Sequence, residues 1–115
     1  MAHYQKELKR IRKKYTKIVK VINALLASTD YKDEKQEHVA HRLYKNSYYM
    51  YPLFKEMRQN PHKFKSKQDE IRGLLKLMIE ESRSIIDSDE ASGFNDLALQ
   101  PLRYQCSKTL SELNN

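Results

Sequence analysis

The first apolar pattern of the chain lies near its N-terminus. Apolar side chains recur there at alternating spacings of three and four residues, at Leu8, Ile11, Tyr15, Ile18, Ile22 and Leu25. This is the a/d pattern of a helix that buries one face against other helices. We therefore predict a core helix over about residues 3–27.

A second apolar pattern predicts a helix over about residues 31–58. We expect Asp30 to cap its N-terminus and Asp33 to lie near its positive end. Proline has no backbone N–H and clashes with the preceding turn, so Pro52 predicts a kink or a break between Tyr49 and Pro52. Asn60 and the proline after it end the element. The residues predicted to face inward are Val39, Leu43, Met50, Leu53 or Phe54, and Met57.

Two further helices follow. Ser66, with Asp69 three residues later, resembles a capping box for a third helix that ends near Asp87. Its predicted inner face consists of Ile71, Leu74, Leu75, Met78, Ser82, Ile85 and Ile86. A fourth helix spans about residues 95–113, with Pro101 in its first turn or at a kink. Its predicted inner face consists of Leu97, Leu102, Cys106, Leu110 and Leu113.

These elements predict an all-α fold. The chain holds only 2 Gly and 3 Pro, which leaves little turn chemistry for β-hairpins. Four helices with short connections favour an antiparallel four-helix bundle, with residues 1–115 forming a single helical domain. The alternative is a five-helix version, in which Pro52 or Pro101 breaks a helix.

The charge of the chain is concentrated on the first helix. Residues 6–20 hold eight Lys and Arg against one Glu, while the remaining cations and anions cancel, so this segment accounts for the net charge of +7. Six of these cations fall at heptad positions b, c and f, which point away from the core. We name them the basic face: Lys6, Lys9, Arg10, Lys13, Lys17 and Lys20.

The basic face has a local energetic cost. Like charges four residues apart, as in Lys9 and Lys13, destabilise a helix by roughly 0.2–0.5 kcal/mol per pair. Arg12 and Lys14 can reach acids on a neighbouring helix, but the outward residues cannot easily do so. The acids expected to serve these two cations are Asp69, Glu70, Glu80 and Glu81.

We expect the basic face to dock on an acidic surface of another protein, in a small non-enzymatic binding or regulatory protein. Nucleic acid is the alternative partner, and an anionic membrane surface ranks below both. Self-association through exposed Tyr and Met of the second helix is a further hypothesis. No long apolar run is present, so we expect a cytoplasmic protein.

A second candidate surface lies in residues 37–51, where tyrosines alternate with basic and polar groups. Aromatic rings beside cations can stack on unpaired bases, so this patch can supplement the basic face in binding RNA or single-stranded DNA. Tyrosine is equally common at protein interfaces. Some of these side chains are expected along one side of the second helix, namely His38, His41, Arg42, Lys45 and Tyr48 or Tyr49. The aromatic/basic patch consists of His38, His41, Arg42, Lys45, Tyr44, Tyr48, Tyr49 and Tyr51.

The sequence predicts no catalytic residue, metal site or cofactor. Glycine-rich phosphate loops and nucleophile signatures are absent. Glu34, His38 and His41 share a helix face, but no fourth ligand is defined. Cys106 is the only cysteine, and we expect it to be a small buried apolar side chain.

Overall fold

The computed structural model describes residues 2–114, and the chain forms an all-α helical bundle over this range. Short 3-10 turns cover Pro61–Phe64 and Asp89–Gly93. The α-helices in the described range are α1 (His3–Ser28), α2 (Glu34–Tyr48), α3 (Tyr51–Gln59), α4 (Gln68–Asp87) and α5 (Asp96–Leu113).

Helix α1 has the predicted stripe. All six predicted apolar side chains are buried, and Ile18 and Ile22 are fully enclosed. Tyr15 stacks on Phe54 with ring centroids 4.1 Å apart, which joins α1 to α3. The prediction for this helix is confirmed because its apolar spacing leaves a single face to bury.

Helix α2 begins later than predicted. Its N-cap is Asp33, whose side chain accepts a hydrogen bond of 2.9 Å from the Gln36 amide. Asp30 therefore does not cap this helix, and the prediction of that role was wrong. Asp33 is placed to satisfy one of the free amides of the first turn, and the helix starts directly after it.

The predicted interruption at Pro52 is a full break. Helix α2 ends at Tyr48, and α3 begins at Tyr51 with Pro52 in its first turn, where a missing N–H costs nothing. The five-helix alternative, broken at Pro52, therefore describes the chain. Phe54 is buried and Leu53 is half-buried, which settles the choice left open between them. Helix α3 ends before Pro61, as predicted.

Helix α4 starts without the predicted capping box. Its N-cap is Lys67, which makes no side-chain cap, so the role assigned to Ser66 was wrong. The Lys67 amide already donates to the Phe64 carbonyl, so a turn occupies this segment before the helix begins. The helix ends at Asp87 as predicted, and its inner face differs at two positions. Leu74 is partly exposed, whereas Ile79, which was not predicted, is buried.

Helix α5 is continuous through Pro101, which is its sixth residue. The predicted first-turn position and the alternative of a helix break at Pro101 were therefore wrong. Asn95 caps it by accepting a hydrogen bond of 2.9 Å from the Leu97 amide. Leu97 is 71% exposed, so its predicted inward position was wrong. The buried stripe instead follows a regular three-and-four spacing through Leu99, Leu102, Cys106, Thr109 and Leu113.

Successive helices of the bundle alternate in direction, with α2 and α3 together forming one segment. Along α1, Asn23 contacts Tyr48 while Tyr15, nearer the N-terminus, contacts Phe54, so α2 and α3 run antiparallel to α1. Helix α4 returns antiparallel to α2, since Arg42 reaches Glu81 and Asn46 reaches Met78. Helix α5 runs antiparallel to α4, since Arg83 contacts Ser107 and Arg103 contacts Asp87.

Candidate functional site

The basic face lies on the outer surface of the bundle. All six of its side chains are exposed, because the apolar stripe of α1 turns the opposite face inward. Arg10 forms an ion pair of 3.0 Å with Glu7, one turn away. Within residues 2–114, the other five form no ion pair: Lys6, Lys9, Lys13, Lys17 and Lys20.

The edge of α1 that faces α4 and α5 is neutralised from within the fold. Lys14 contacts Glu112 of α5 at 2.6 Å, and Glu7 accepts a hydrogen bond of 2.7 Å from Arg72 of α4. The hydrogen bond from Lys14 lowers the pKa of Glu112, with further attraction from Lys108 and Lys17. An internal ion pair for Lys14 was expected, but its partner lies on α5.

Arg12, the other cation expected to pair internally, forms no ion pair in the described part of the chain. The four acids predicted as partners of Arg12 and Lys14 form no ion pair with either residue in the described part of the chain. All four lie on α4, where Arg72 is the side chain that forms an ion pair with α1. These acids are Asp69, Glu70, Glu80 and Glu81.

The aromatic/basic patch is divided between two sides of α2. Arg42 lies toward α4 and the adjoining 3-10 turn, where it reaches Glu90 at 3.3 Å and Glu81 at 3.7 Å. The His38 imidazole also lies within 3.8 Å of Glu90. Tyr48 lies instead toward α1. Arg42 and Tyr48 therefore do not lie together on the predicted side, whereas His38, His41 and Lys45 are exposed.

Three tyrosines of the patch form a stack beside α1. Tyr44 and Tyr48 stack with ring centroids 4.5 Å apart, and Tyr51 lies 6.1 Å from Tyr48 in a tilted arrangement. The Tyr48 hydroxyl accepts a hydrogen bond of 3.0 Å from the Asn23 amide, which fixes the stack against α1. We name Tyr44, Tyr48 and Tyr51 the tyrosine stack. Asn23, the residue of α1 that contacts the stack, follows Lys20 of the basic face by three residues.

The remaining residues of the patch are exposed. Tyr49 is 84% exposed, and His41 and Lys45 also face solvent. The helix break places Tyr49 in the turn between α2 and α3, away from the regular face that Tyr44 and Tyr48 share.

A groove between α1 and α3 was not predicted. It has a volume of about 460 Å³. Leu8 and Met57 are buried core side chains that form its apolar base. The full lining is Gln5, Leu8, Lys9, Arg12, Met57, Arg58 and Pro61. Sequence spacing gave no signal for it, since the pairing of α1 with α3 brings Arg12 and Arg58 to the same groove.

Cys106 lies in the interior, as expected. Its side chain is fully buried, and burial raises the pKa of the thiol to about 11. In the described residues, no three His, Cys, Asp or Glu side chains are grouped as a metal site requires. None of the helices in residues 2–114 is both long enough and apolar enough to cross a membrane.

Comparison of the chain with protein-family models, curated proteins and solved structures finds no match.

Proposed function

We propose that this protein is a small non-enzymatic binding protein that docks on an acidic surface of a partner protein. The docking surface is the basic face of α1, and we place the interaction in the cytoplasm. One observation supports the proposal above the others. Five lysines line the outside of a helix whose core-facing side is fully packed, and in residues 2–114 none of them has a carboxylate partner.

The distribution of ion pairs strengthens this argument. Cations at the helix contacts, such as Lys14, Arg72 and Arg103, are paired with carboxylates on neighbouring elements. The outward lysines add repulsion between successive turns of α1 and contribute no contact to the core. Complementary charge on a partner relieves that repulsion and accelerates association.

The test is a comparison of the partners retained by wild-type protein and by a neutralised variant. Lys13, Lys17 and Lys20 are replaced together by Gln, and bound proteins are captured from cells that make this protein and then quantified by mass spectrometry. We expect partners rich in Asp and Glu to be lost from the variant. Charges at the rim of an interface raise the association rate and favour a partner surface of opposite charge.

The matched control replaces Lys32, Lys35 and Lys67 by Gln. These three side chains are also exposed, so the change in net charge is the same but the basic face is intact. We expect the control to retain the acidic partners. Equal retention by both variants, or equal loss from both, would remove the specific role assigned to the basic face.

Nucleic acid is the second candidate partner, and the tyrosine stack is the observation that favours it. Tyr44 precedes the exposed Lys45, and Tyr48 contacts Asn23, three residues after the exposed Lys20. Aromatic rings among cations are found in surfaces that bind single strands. The rings of Tyr44 and Tyr48 are already stacked on each other, however, which leaves less ring surface for bases. With four phosphates neutralised, the logarithm of affinity for single strands is expected to fall with the logarithm of salt concentration at a slope of about −3.

A further inference from the structure

The groove between α1 and α3 combines an apolar base with a cationic rim. Leu8 and Met57, which are 3% and 2% exposed, reach it from opposite helices. Lys9, Arg12 and Arg58 line its sides. The groove is open to solvent and therefore offers an apolar contact and a charged contact side by side, within about 460 Å³.

The charges of the groove are not balanced by its own lining. Lys9, Arg12 and Arg58 form no ion pair within residues 2–114, and no Asp or Glu is among the lining residues. By contrast, the small cavity on the other edge of α1 holds Glu7 and Glu112 beside its cations. A bound anion would thus meet three cations without displacing an existing carboxylate.

We propose that this groove is the anchor point of the docking surface and receives an apolar side chain flanked by carboxylates on the acidic partner. This inference rests on the proposed function and names the partner chemistry more closely. The apolar side chain lies against the partly exposed Pro61 and over the floor formed by Leu8 and Met57. The flanking carboxylates accept hydrogen bonds from Arg12 and Arg58. Arginine suits this role because its planar guanidinium can bind a carboxylate through two hydrogen bonds.

The groove and the basic face meet at Lys9 on α1. Lys9 belongs to both, and Lys13 follows it by one turn on the outside of α1. A partner segment anchored in the groove therefore continues directly onto the outward lysines. A buried apolar anchor surrounded by charged contacts is the usual arrangement of an interface in which a few residues supply most of the affinity.

The experiment uses two short peptides and the full chain. One peptide carries a leucine between pairs of glutamates, and the other has serine in place of that leucine. Binding is measured by fluorescence anisotropy at about 50 mM salt. The signal of the Met57 methyl group, labelled with carbon-13, is followed by NMR, and the Met78 methyl, buried between other helices, serves as an internal reference.

The test variant is R12Q/R58Q, and the matched control is K32Q/K35Q, which removes the same charge from exposed sites elsewhere. We expect the leucine peptide to bind more tightly than the serine peptide and to shift the Met57 signal but not that of Met78. Its affinity should fall at least about tenfold in the test variant and less than about twofold in the control, since hydrogen bonds between charged groups are strong.

Equal affinities for the two peptides, an unmoved Met57 signal, or equal loss in both variants would overturn the groove as the anchor. If both peptides then still lose affinity when Lys13, Lys17 and Lys20 become Gln, the docking role of the basic face stands without the groove. If neither peptide binds, the role of the groove is overturned, and the result also counts against the proposed function.

Discussion

The hydroxyl of Tyr15 joins the middle of α1 to the point where α2 ends. It donates a buried hydrogen bond of 2.7 Å to the carbonyl of Ser47, while its ring stacks on Phe54 of α3. The last carbonyls of a helix lack partners within that helix, and Ser47 lies in the last turn of α2. Tyr15 thus stabilises the break that Pro52 imposes. Burial raises the pKa of Tyr15, which keeps the hydroxyl protonated as a donor.

Replacing Tyr15 by Phe is expected to destabilise the protein by about 1–3 kcal/mol, because it keeps the ring but leaves a buried acceptor unpaired. Urea unfolding followed by circular dichroism measures the change. Tyr104→Phe is the control, since Tyr104 is 65% exposed, and its effect should be below about 0.5 kcal/mol. A Tyr15→Phe variant as stable as the wild type would show that the hydrogen bond contributes nothing.

The raised pKa of the buried Cys106 thiol predicts that the protein loses stability at high pH. Its pKa is about 11 in the folded protein, above the value of about 8.5 for a free thiol. Below about pH 8 both states retain the proton, so this group does not affect the pH dependence there. At higher pH the unfolded chain releases the proton first, which favours unfolding.

We expect the stability advantage of wild type over Cys106→Ala to shrink by up to about 1.4 kcal/mol per pH unit between about pH 9 and pH 11. Urea unfolding of both proteins from about pH 7 to pH 10 measures this difference and cancels the titration of other groups. A difference that stays constant over this range would contradict the burial argument.

At the scale of the element, α1 combines a core stripe with a repulsive outer face. Lys13 lies four residues from both Lys9 and Lys17. We expect Lys13→Gln to stabilise the protein by about 0.4–1 kcal/mol at low salt, because it removes two repulsive pairs. The gain in stability should largely disappear in about 1 M salt, where the Debye length is only about 3 Å.

The control for this prediction is Lys108→Gln on α5. Lys108 attracts Glu112, so its neutralisation should destabilise the protein slightly, in the opposite direction. Both variants are compared by urea unfolding at low and high salt. If Lys13→Gln also lowers the stability at low salt, the outer lysines serve the fold, and the argument for an external partner loses its energetic basis.

The elements could be predicted from the sequence where one face had to be buried. The stripe of α1 and the break at Pro52 follow from helical spacing and from the missing proline N–H. Caps were less predictable, since Asp30 and Asp33 are both competent caps and Ser66 is followed by a suitable acid. Which of these residues caps the helix depends on the turn that the folded chain makes before that helix.

At the scale of the whole molecule, pairing between helices determines which cations are free. The sequence predicted that the basic face points outward, because heptad positions fix direction along one helix. It could not predict that Lys14 pairs with Glu112, or that Arg12 and Arg58 line one groove. Those contacts depend on how far one helix slides along another, which spacing along the chain does not determine.

The break at Pro52 does not divide the candidate patch. Arg42, Tyr44 and Tyr48 lie on the continuous helix α2, and Tyr51 at the start of α3 still lies 6.1 Å from Tyr48. The tyrosine stack lies toward α1 while Arg42 lies toward acids of α4 and the adjoining turn, because Arg42 and Tyr44 are about 200° apart around the helix axis.

The most direct test of docking on an acidic protein is a titration of the protein against two labelled ligands of equal formal charge. One is the leucine-bearing acidic peptide and the other is single-stranded RNA, with anisotropy measured at about 50 and 200 mM salt. We predict that the peptide binds more tightly than the RNA at the higher salt, where RNA binding should become negligible. RNA binding that is micromolar or tighter and survives at the higher salt would contradict docking on an acidic protein and identify nucleic acid as the partner.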